Sequence, residues 1–174
     1  MTEVEHVQGA EGGKARIADL YVRHAPAGFR LAYLLTGDRN LAEDLLHDAF
    51  VRVVSRLRHL RQPDAFDTYL RRTIVNLSKN AFRRRALERA QLDREERQPA
   101  LESRQPNVPL EQDMRKALLA LPERQRAAIV LRFYEDLSEP EIAEILRCRP
   151  GTVRSLVFRA MRTLRADLGD EADA

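Results

Sequence analysis

The sequence is poor in the features that build disulfide-linked, secreted or membrane-spanning proteins. Cys148 is the only cysteine, which excludes a disulfide within the chain and suits a reducing compartment. No run of about 18 apolar residues occurs, so no membrane-spanning helix is expected. The N-terminus lacks the basic and then apolar pattern of a signal peptide. The sequence therefore predicts a cytoplasmic protein without a membrane span.

The sequence also lacks the usual signs of catalysis and of β-structure. It has no glycine-rich phosphate loop, no Cys–His cluster and no long alternation of apolar and polar residues. Four residues have a spacing that permits a metal site: Glu43, Asp44, His47 and Asp48. A single histidine in such a group is more often a residue of the helix surface. We therefore expect no enzyme activity, no metal and no cofactor.

Positive charge is concentrated in the middle of the chain. The net charge is +3, from 30 basic and 27 acidic residues, but the first 14 and last eight residues hold seven of the acids and one of the bases. The segment between them therefore carries a net charge of +9. A surface that positive usually binds a polyanion. A merely solubilising surface is the alternative, and charge alone does not decide between the two.

Apolar residues recur at the three- and four-residue spacing of amphipathic helices over much of the chain. The pattern predicts a first helix that begins near Ile17 and is interrupted by Pro26. A second helix is expected from about Asn40 to Leu57, and a third from about Ala65 to Arg85. Residues 1–13 are polar and contain several glycines, and are predicted to be disordered.

A change in composition separates two helical regions. Residues 86–112 contain three prolines, many charges and weak periodicity, which indicates a linker that is helical at its start. The sequence thus predicts an all-α fold, with two small helical domains joined by a flexible linker. The expected units are a disordered tail (1–14), a first domain (15–86), the linker (87–112), a second domain (113–168) and an acidic tail (169–174).

The second domain ends in the pattern of a helix-turn-helix. Pro122 marks the start of one helix, and Ser138 and Glu141 form a capping box for a short helix over 138–146. After a break at 147–149, a longer helix begins near Pro150 and Gly151. A second helix of this kind enters the major groove of DNA.

The longer helix has one apolar stripe and one cationic face. The stripe contains Val153, Leu156, Val157, Ala160, Met161 and Leu164. The opposite face carries Arg154, Ser155, Phe158, Arg159 and Arg162. Arg154 and Arg159 are suited to bidentate hydrogen bonds with guanine. An ordinary amphipathic helix with a solvated arginine face is the alternative interpretation.

Three segments in order resemble extracytoplasmic-function (ECF) sigma factors. The segment "LPERQRAAIVLRFYEDLSEPEIAEILRCRPGTVRSLVFRAMRTLR" (121–165) resembles their promoter −35-binding domain. The segments "DRNLAEDLLHDAFVRVVSRL" (38–57) and "FDTYLRRTIVNLSKNAFRRR" (66–85) resemble their other domain. The resemblance implies a transcription initiation factor that binds core RNA polymerase, directs it to promoters through −10 and −35 elements, and assists DNA melting.

The resemblance also implies which residues meet each partner. The −35 element would be read from the major groove by Arg149, Thr152, Arg154, Ser155, Phe158, Arg159 and Arg162. The −10 element and its backbone would be bound by Asp64, Tyr69, Arg71, Arg72, Asn76, Lys79, Asn80, Arg83 and Arg84. The β′ clamp helices of the polymerase would be bound by Glu43, Asp44, Leu45, His47, Asp48 and Phe50. The polymerase β flap is a further implied partner.

The residues themselves support these roles to different degrees. Residues 52–85 hold ten Lys or Arg against two Asp, which suits a DNA backbone. Phe66 is expected to pack in the core, whereas Tyr69 either packs or stacks on an unpaired base. The acids near the start of the second helix also favour its dipole. Leu156 stands where the family commonly has arginine, and Gln62-Pro63 departs from the small residues expected in its loop.

Two alternatives about partners remain open at this point. A stand-alone helix-turn-helix repressor or activator would share the C-terminal motif, but would need a dimer seam or a ligand pocket in the first domain. Many proteins of the resembled family are also held by an anti-sigma protein, and the sequence identifies none. The promoter sequence and the inducing signal are likewise not encoded in any recognisable pattern.

Overall fold

The computed structural model describes residues 3–56, 66–92 and 112–169, and these ranges contain helices and short turns without a strand. The helices are α1 (Glu3–Thr36), α2 (Arg39–Arg56), α3 (Phe66–Leu92), α4 (Gln112–Ala120), α5 (Glu123–Phe133), α6 (Glu139–Leu146) and α7 (Pro150–Gly169). The first three pack together as an N-terminal unit, and the last four form a C-terminal unit. The predicted all-α class is confirmed.

The first helix is longer than the sequence pattern predicted. It begins at Glu3, so the prediction of disorder over residues 1–13 is wrong for residues 3–13. It also continues through Pro26 instead of ending there. Adding a residue to an existing helix gains one hydrogen bond and avoids the cost of a new nucleus. Proline removes only one backbone hydrogen bond of the helix. The helix can therefore continue through Pro26 when neighbouring contacts hold the segments on either side.

The corner between α1 and α2 is built by three consecutive residues. The Thr36 hydroxyl donates to the Ala32 carbonyl at 2.7 Å. Gly37 has a φ of +69°, and its N–H donates to the Tyr33 carbonyl at 2.7 Å. The Asp38 carboxylate then accepts from the Leu41 N–H at 3.0 Å, as an N-cap does. These three residues therefore end α1 and begin α2.

The third helix packs against both α1 and α2 inside the N-terminal unit. Its apolar face is buried throughout: Phe66, Leu70, Ile74, Leu77 and Ala81. Phe66 meets the Phe50 ring edge to face, with centroids 5.7 Å apart. Burying a side chain of this size stabilises the fold by about 1.5–3 kcal/mol. The prediction that Phe66 packs in the core is confirmed.

The C-terminal unit packs α5, α6 and α4 around α7. A small cluster of buried side chains joins α4, α5 and α7: Ala117, Leu118, Leu121, Ile129, Ala160 and Leu164. The short helix α6 starts where Glu141 Oε2 accepts from the Ser138 N–H at 2.8 Å. This bond is the half of the predicted capping box that reaches back to the N-cap.

The two units pack against each other in this structure. Helix α1 contacts α4 and α5, and α3 contacts α6. Buried side chains of α5 and α6, such as Val130 and Ile142, belong to the same apolar cluster as those of α1–α3. The helical start predicted for the linker is confirmed, since α3 extends to Leu92. The rest of the predicted linker lies outside the described residues.

Candidate nucleic-acid and polymerase interface

The turn between α6 and α7 fixes the angle of the last helix. Arg147 adopts a left-handed conformation with a φ of 50°, which a residue other than glycine rarely takes. Its N–H and that of Cys148 both donate to the Ala143 carbonyl. The Arg149 carbonyl then accepts from the Thr152 N–H at 2.9 Å. These bonds hold a three-residue turn between two helices, as a helix-turn-helix requires.

Helix α7 has one buried face and one exposed face, as the sequence predicts. Val153, Ala160 and Leu164 are buried, and the other members of the apolar stripe are half-buried. Every residue predicted to face the −35 element is exposed: Arg149, Thr152, Arg154, Ser155, Phe158, Arg159 and Arg162. Phe158 keeps 68% of its surface exposed, so its ring is accessible to a ligand.

One arginine of this face already has an anionic partner. Arg154 Nη2 and Nε donate to the Glu139 carboxylate at 2.9 and 3.3 Å, so the pair links α7 to the first turn of α6. The hydrogen bond from Arg154 lowers the pKa of Glu139 below its usual value. Both side chains lie at the surface, so the ion pair orients the Arg154 guanidinium, and breaking the pair costs little free energy.

The predicted −10 surface of α3 divides into two parts. Arg71 and Arg72 are half-buried and bind carboxylates, whereas Asn76, Asn80, Arg83 and Arg84 are exposed. Arg71 binds Asp67 on its own helix and Glu135 on the C-terminal unit. Burial lowers the pKa of the Arg71 guanidinium, but the bonds to Glu135 and Asp67 outweigh it and raise the pKa.

A cleft opens between α2 and α3 beside the exposed part of that surface. It has a volume of about 420 Å³ and is lined by Arg52, Val53, Arg56, Tyr69, Thr73, Asn76, Leu77 and Asn80. Tyr69 is 37% exposed and lies under the Arg72 guanidinium, 5.6 Å from the ring centroid. Amide groups, cations and an aromatic face together suit an unpaired base and its phosphate. Asp64 lies outside the described residues, so its predicted role has no structural counterpart here.

The predicted polymerase-binding residues of α2 also differ in exposure. Glu43, Asp44, His47 and Asp48 are exposed, while Leu45 and Phe50 are each only 6% exposed and pack in the core. Leu45 and Phe50 therefore hold α2 in place. The predicted contact with the polymerase is left to the four exposed polar residues. Among the described residues no group of three or more His, Cys, Asp and Glu could hold a metal ion.

Sequence reasoning missed Arg126, the one buried arginine among the described residues. Its Nη1 donates to the Leu35 carbonyl at 2.5 Å, and its Nη2 donates to the carbonyls of Leu119 and Leu121 at 2.9 and 3.0 Å. Its guanidinium also lies 4.8 Å from the centroid of the Phe82 ring. The only available signal was the position of this arginine inside an otherwise apolar helical face.

The fold and the exposed basic helix define a two-unit DNA-binding protein with a C-terminal helix-turn-helix. The family model "Sigma-70 region 2" matches residues 20–88, and "Sigma-70, region 4" matches residues 111–164. The chain is 32% identical to the ECF RNA polymerase sigma-E factor of Escherichia coli K12, over 92% of this chain and 90% of that protein. It is 35% identical to ECF RNA polymerase sigma factor SigE of Mycolicibacterium smegmatis, of which it spans 66%.

Two solved structures are also similar. The sigma factor RpoE of Bartonella quintana, in complex with the anti-sigma factor NepR, has a TM-score of 0.73 and 25% identity, covering 87% of this chain and 96% of that one. CnrH, in complex with the cytosolic domain of CnrY, has a TM-score of 0.67 and 25% identity, covering 97% and 96%.

The chain belongs to the sigma-70 family of RNA polymerase sigma factors and to its ECF type. It therefore binds core RNA polymerase and promoter DNA and directs promoter-specific initiation of transcription. No helix in the described part of the chain is both long and apolar enough to cross a membrane.

Proposed function

We propose that α7 reads the promoter −35 element from the major groove. The supporting observation is its division into a buried stripe and a face on which all the predicted contact residues are exposed. The turn at Arg147 and the Arg154–Glu139 pair fix the orientation of that face. Arg159 would make a bidentate pair with guanine, and Phe158 would contact a thymine methyl group.

We propose that α3 and the cleft beside it bind the −10 element. Asn76 and Asn80 lie one helical turn apart and line the cleft with Tyr69, so an extruded base entering it meets amide groups and an aromatic ring. Lys79, Arg83 and Arg84 would meet the backbone phosphates. Capture of unpaired bases offsets the few kcal/mol that unstacking costs, so melting needs no bound nucleotide cofactor.

We propose that the exposed acidic surface of α2 docks on the clamp helices of the polymerase β′ subunit. Its residues Asp44, His47 and Asp48 line an open depression of about 570 Å³ that continues to Arg84 of α3. A basic helical partner would complement these carboxylates and gain both specificity and association rate. The acids also lie near the start of α2, where they favour the helix dipole.

We infer the cellular setting from the partners. Promoter DNA and RNA polymerase as partners support a location in the bacterial cytoplasm and a role in binding rather than in catalysis. We also propose that an anti-sigma protein holds the chain, because two similar structures are complexes of a sigma factor with another protein, one of them named as an anti-sigma factor.

Reconstituted transcription tests this assignment. The chain is mixed with core RNA polymerase and a promoter library, and transcripts are mapped to their start sites. We expect transcripts that share two upstream elements and that disappear when the chain is omitted. A chain that does not associate with core polymerase, or that protects a palindrome alone, would contradict the proposal.

A further inference from the structure

A second cavity, of about 350 Å³, lies beside Arg126. Its walls come from the end of α1, the middle of α3, the first half of α5, and the end of α6 with the turn that follows. Pockets that bind small organic molecules usually have volumes of about 300 to 1,000 Å³. The cavity is therefore large enough for a small molecule with on the order of a dozen non-hydrogen atoms.

One part of the cavity lining is apolar. It is formed by Leu35, Val75, Phe82, Ala127, Ile145 and Leu146. Phe82 and Leu146 are half-buried, and the other four side chains are buried. A wall of this kind excludes water from a bound molecule and favours a ligand with an apolar body.

The charged part of the lining is mostly basic. It contains Lys79, Arg124, Arg126 and Arg147, with Glu123 as the one acid. Arg124 and Arg147 are exposed and Lys79 is half-buried, so these three lie towards solvent, whereas Arg126 is buried. Cations that line a concave site with low-dielectric walls reinforce one another's field. The cavity therefore attracts an anion.

The buried cation of the lining has only neutral hydrogen-bond acceptors. The three acceptors of Arg126 are backbone carbonyls, and its buried Nε–H has no acceptor in the described part of the chain. Burial lowers the pKa of this guanidinium, and the opposing effect of Glu123 does not outweigh it. A buried cation is costly unless its charge and its N–H groups are both compensated. An anion in the cavity would supply the missing charge, and a small rotation of the guanidinium would bring the Nε–H to it.

We propose that this cavity binds a small amphipathic anion, with a carboxylate or phosphate group beside Arg126 and Arg124 and an apolar body against Phe82 and its neighbours. Both head groups make charge-assisted hydrogen bonds with guanidinium, which is the chemistry they share. The inference goes beyond the proposed function, because neither promoter recognition nor polymerase binding requires such a ligand.

Four probes test the class of ligand on the full-length chain. Phenylbutyrate and phenyl phosphate each join an anionic head to a phenyl ring. Phenylbutyramide keeps the shape of the first without its charge, and inorganic phosphate keeps the head of the second without its ring. We expect isothermal titration calorimetry to give a dissociation constant of about 1 mM or lower for at least one of the two complete probes. The amide and inorganic phosphate are expected to bind at least about tenfold more weakly, and the tighter complete probe identifies the preferred head group.

A pair of variants tests the location of the site. Arg124→Glu reverses an exposed charge of the lining, and an acid in the first turn of α5 is compatible with the helix dipole, so this variant is expected to fold. It is expected to bind the tighter probe at least about fivefold more weakly than the wild type. Arg165→Glu makes the same reversal at an exposed position of α7 outside the cavity, and is expected to change the affinity by no more than about twofold.

The Arg126 side chain gives an independent readout. In a nitrogen–proton NMR spectrum of the wild-type chain, its Nε–H resonance, assigned through the backbone, is expected to shift during titration with the tighter probe and to stay in place with the amide. The inference is overturned if neither complete probe binds, or if the amide or inorganic phosphate binds equally well. It is also overturned if Arg124→Glu binds as the wild type does, or if the Arg126 resonance does not move. The proposed function is unaffected by these outcomes, since the transcription assay contains none of the probes.

Discussion

Asp38 and Arg85 join the corner between α1 and α2 to the distal part of α3, with Arg85 Nη2 donating to Asp38 Oδ2 at 2.7 Å. The other carboxylate oxygen of Asp38 caps α2 through the Leu41 N–H. Partial burial raises the pKa of Asp38, but the bonds from Arg85 and Leu41 outweigh it, so the pKa lies below its usual value. One carboxylate therefore serves two helices at once.

The first prediction separates these two tasks of Asp38. Asp38→Asn keeps the cap and loses the ion pair, so it is expected to cost up to about 1 kcal/mol of unfolding free energy at pH 7. Asp38→Ala loses both and is expected to cost about 1 kcal/mol more. Because the folded pKa is depressed, the ion-pair part is present above about pH 4 and is lost as the pH falls through the folded value. Urea unfolding of both variants at several pH values measures these losses. An equal loss of unfolding free energy in Asp38→Asn and Asp38→Ala would contradict the separation of the cap from the ion pair.

The second prediction compares one substitution at two glycines. Gly37→Ala places a side chain at positive φ and against Leu119, and is expected to destabilise the chain by about 1–2 kcal/mol. Gly151→Ala meets no atom within 4 Å in the first turn of α7, and is expected to stabilise by about 0.5–1 kcal/mol. Thermal unfolding followed by circular dichroism measures both, and shifts of the same sign would be inconsistent with the structure.

The third prediction concerns recognition of the −35 element. Arg159→Ala is expected to weaken initiation that depends on this element by about 1–3 kcal/mol, because one bidentate base contact is lost. Arg23→Ala removes the same charge from an exposed position of α1 and is expected to have little effect. Transcription from a promoter with an intact or scrambled −35 element distinguishes them. If Arg159→Ala weakened both promoters equally, the residue would contact phosphate instead of a base.

The fourth prediction concerns assembly with the polymerase. Asp48→Arg reverses an exposed charge in the depression on α2 and is expected to weaken holoenzyme formation about tenfold or more, since like charges then face each other. Asp19→Arg makes the same reversal on α1, outside the predicted surface, and serves as the control. Native gels or interferometry with core polymerase give the affinities. Normal assembly of Asp48→Arg would count against docking through α2.

Local signals made much of the fold predictable. The capping box at Ser138 and the apolar spacing of α3 each depend on neighbours within one or two turns, and each has its predicted counterpart in the structure. The exposed face of α7 follows from the same periodicity. For such features the sequence suffices because hydrogen bonds and burial act over short separations along the chain.

Other features depend on residues far apart and were not predictable. The pairing of Arg72 with Glu144 joins residues 72 positions apart, and no pattern in either segment indicates it. The continuation of α1 through Pro26 contradicts local propensity and depends on the contacts of the whole helix. The burial of Phe50 was likewise hidden, because an apolar residue beside acids suits either a docking surface or a core.

The contact centred on Arg126 has a consequence for how the chain melts. The N-terminal and C-terminal units share one continuous apolar core, so heating can separate them only by exposing that core to water. The two units are therefore expected to unfold in a single transition. Calorimetry of the free chain should therefore record a single endotherm.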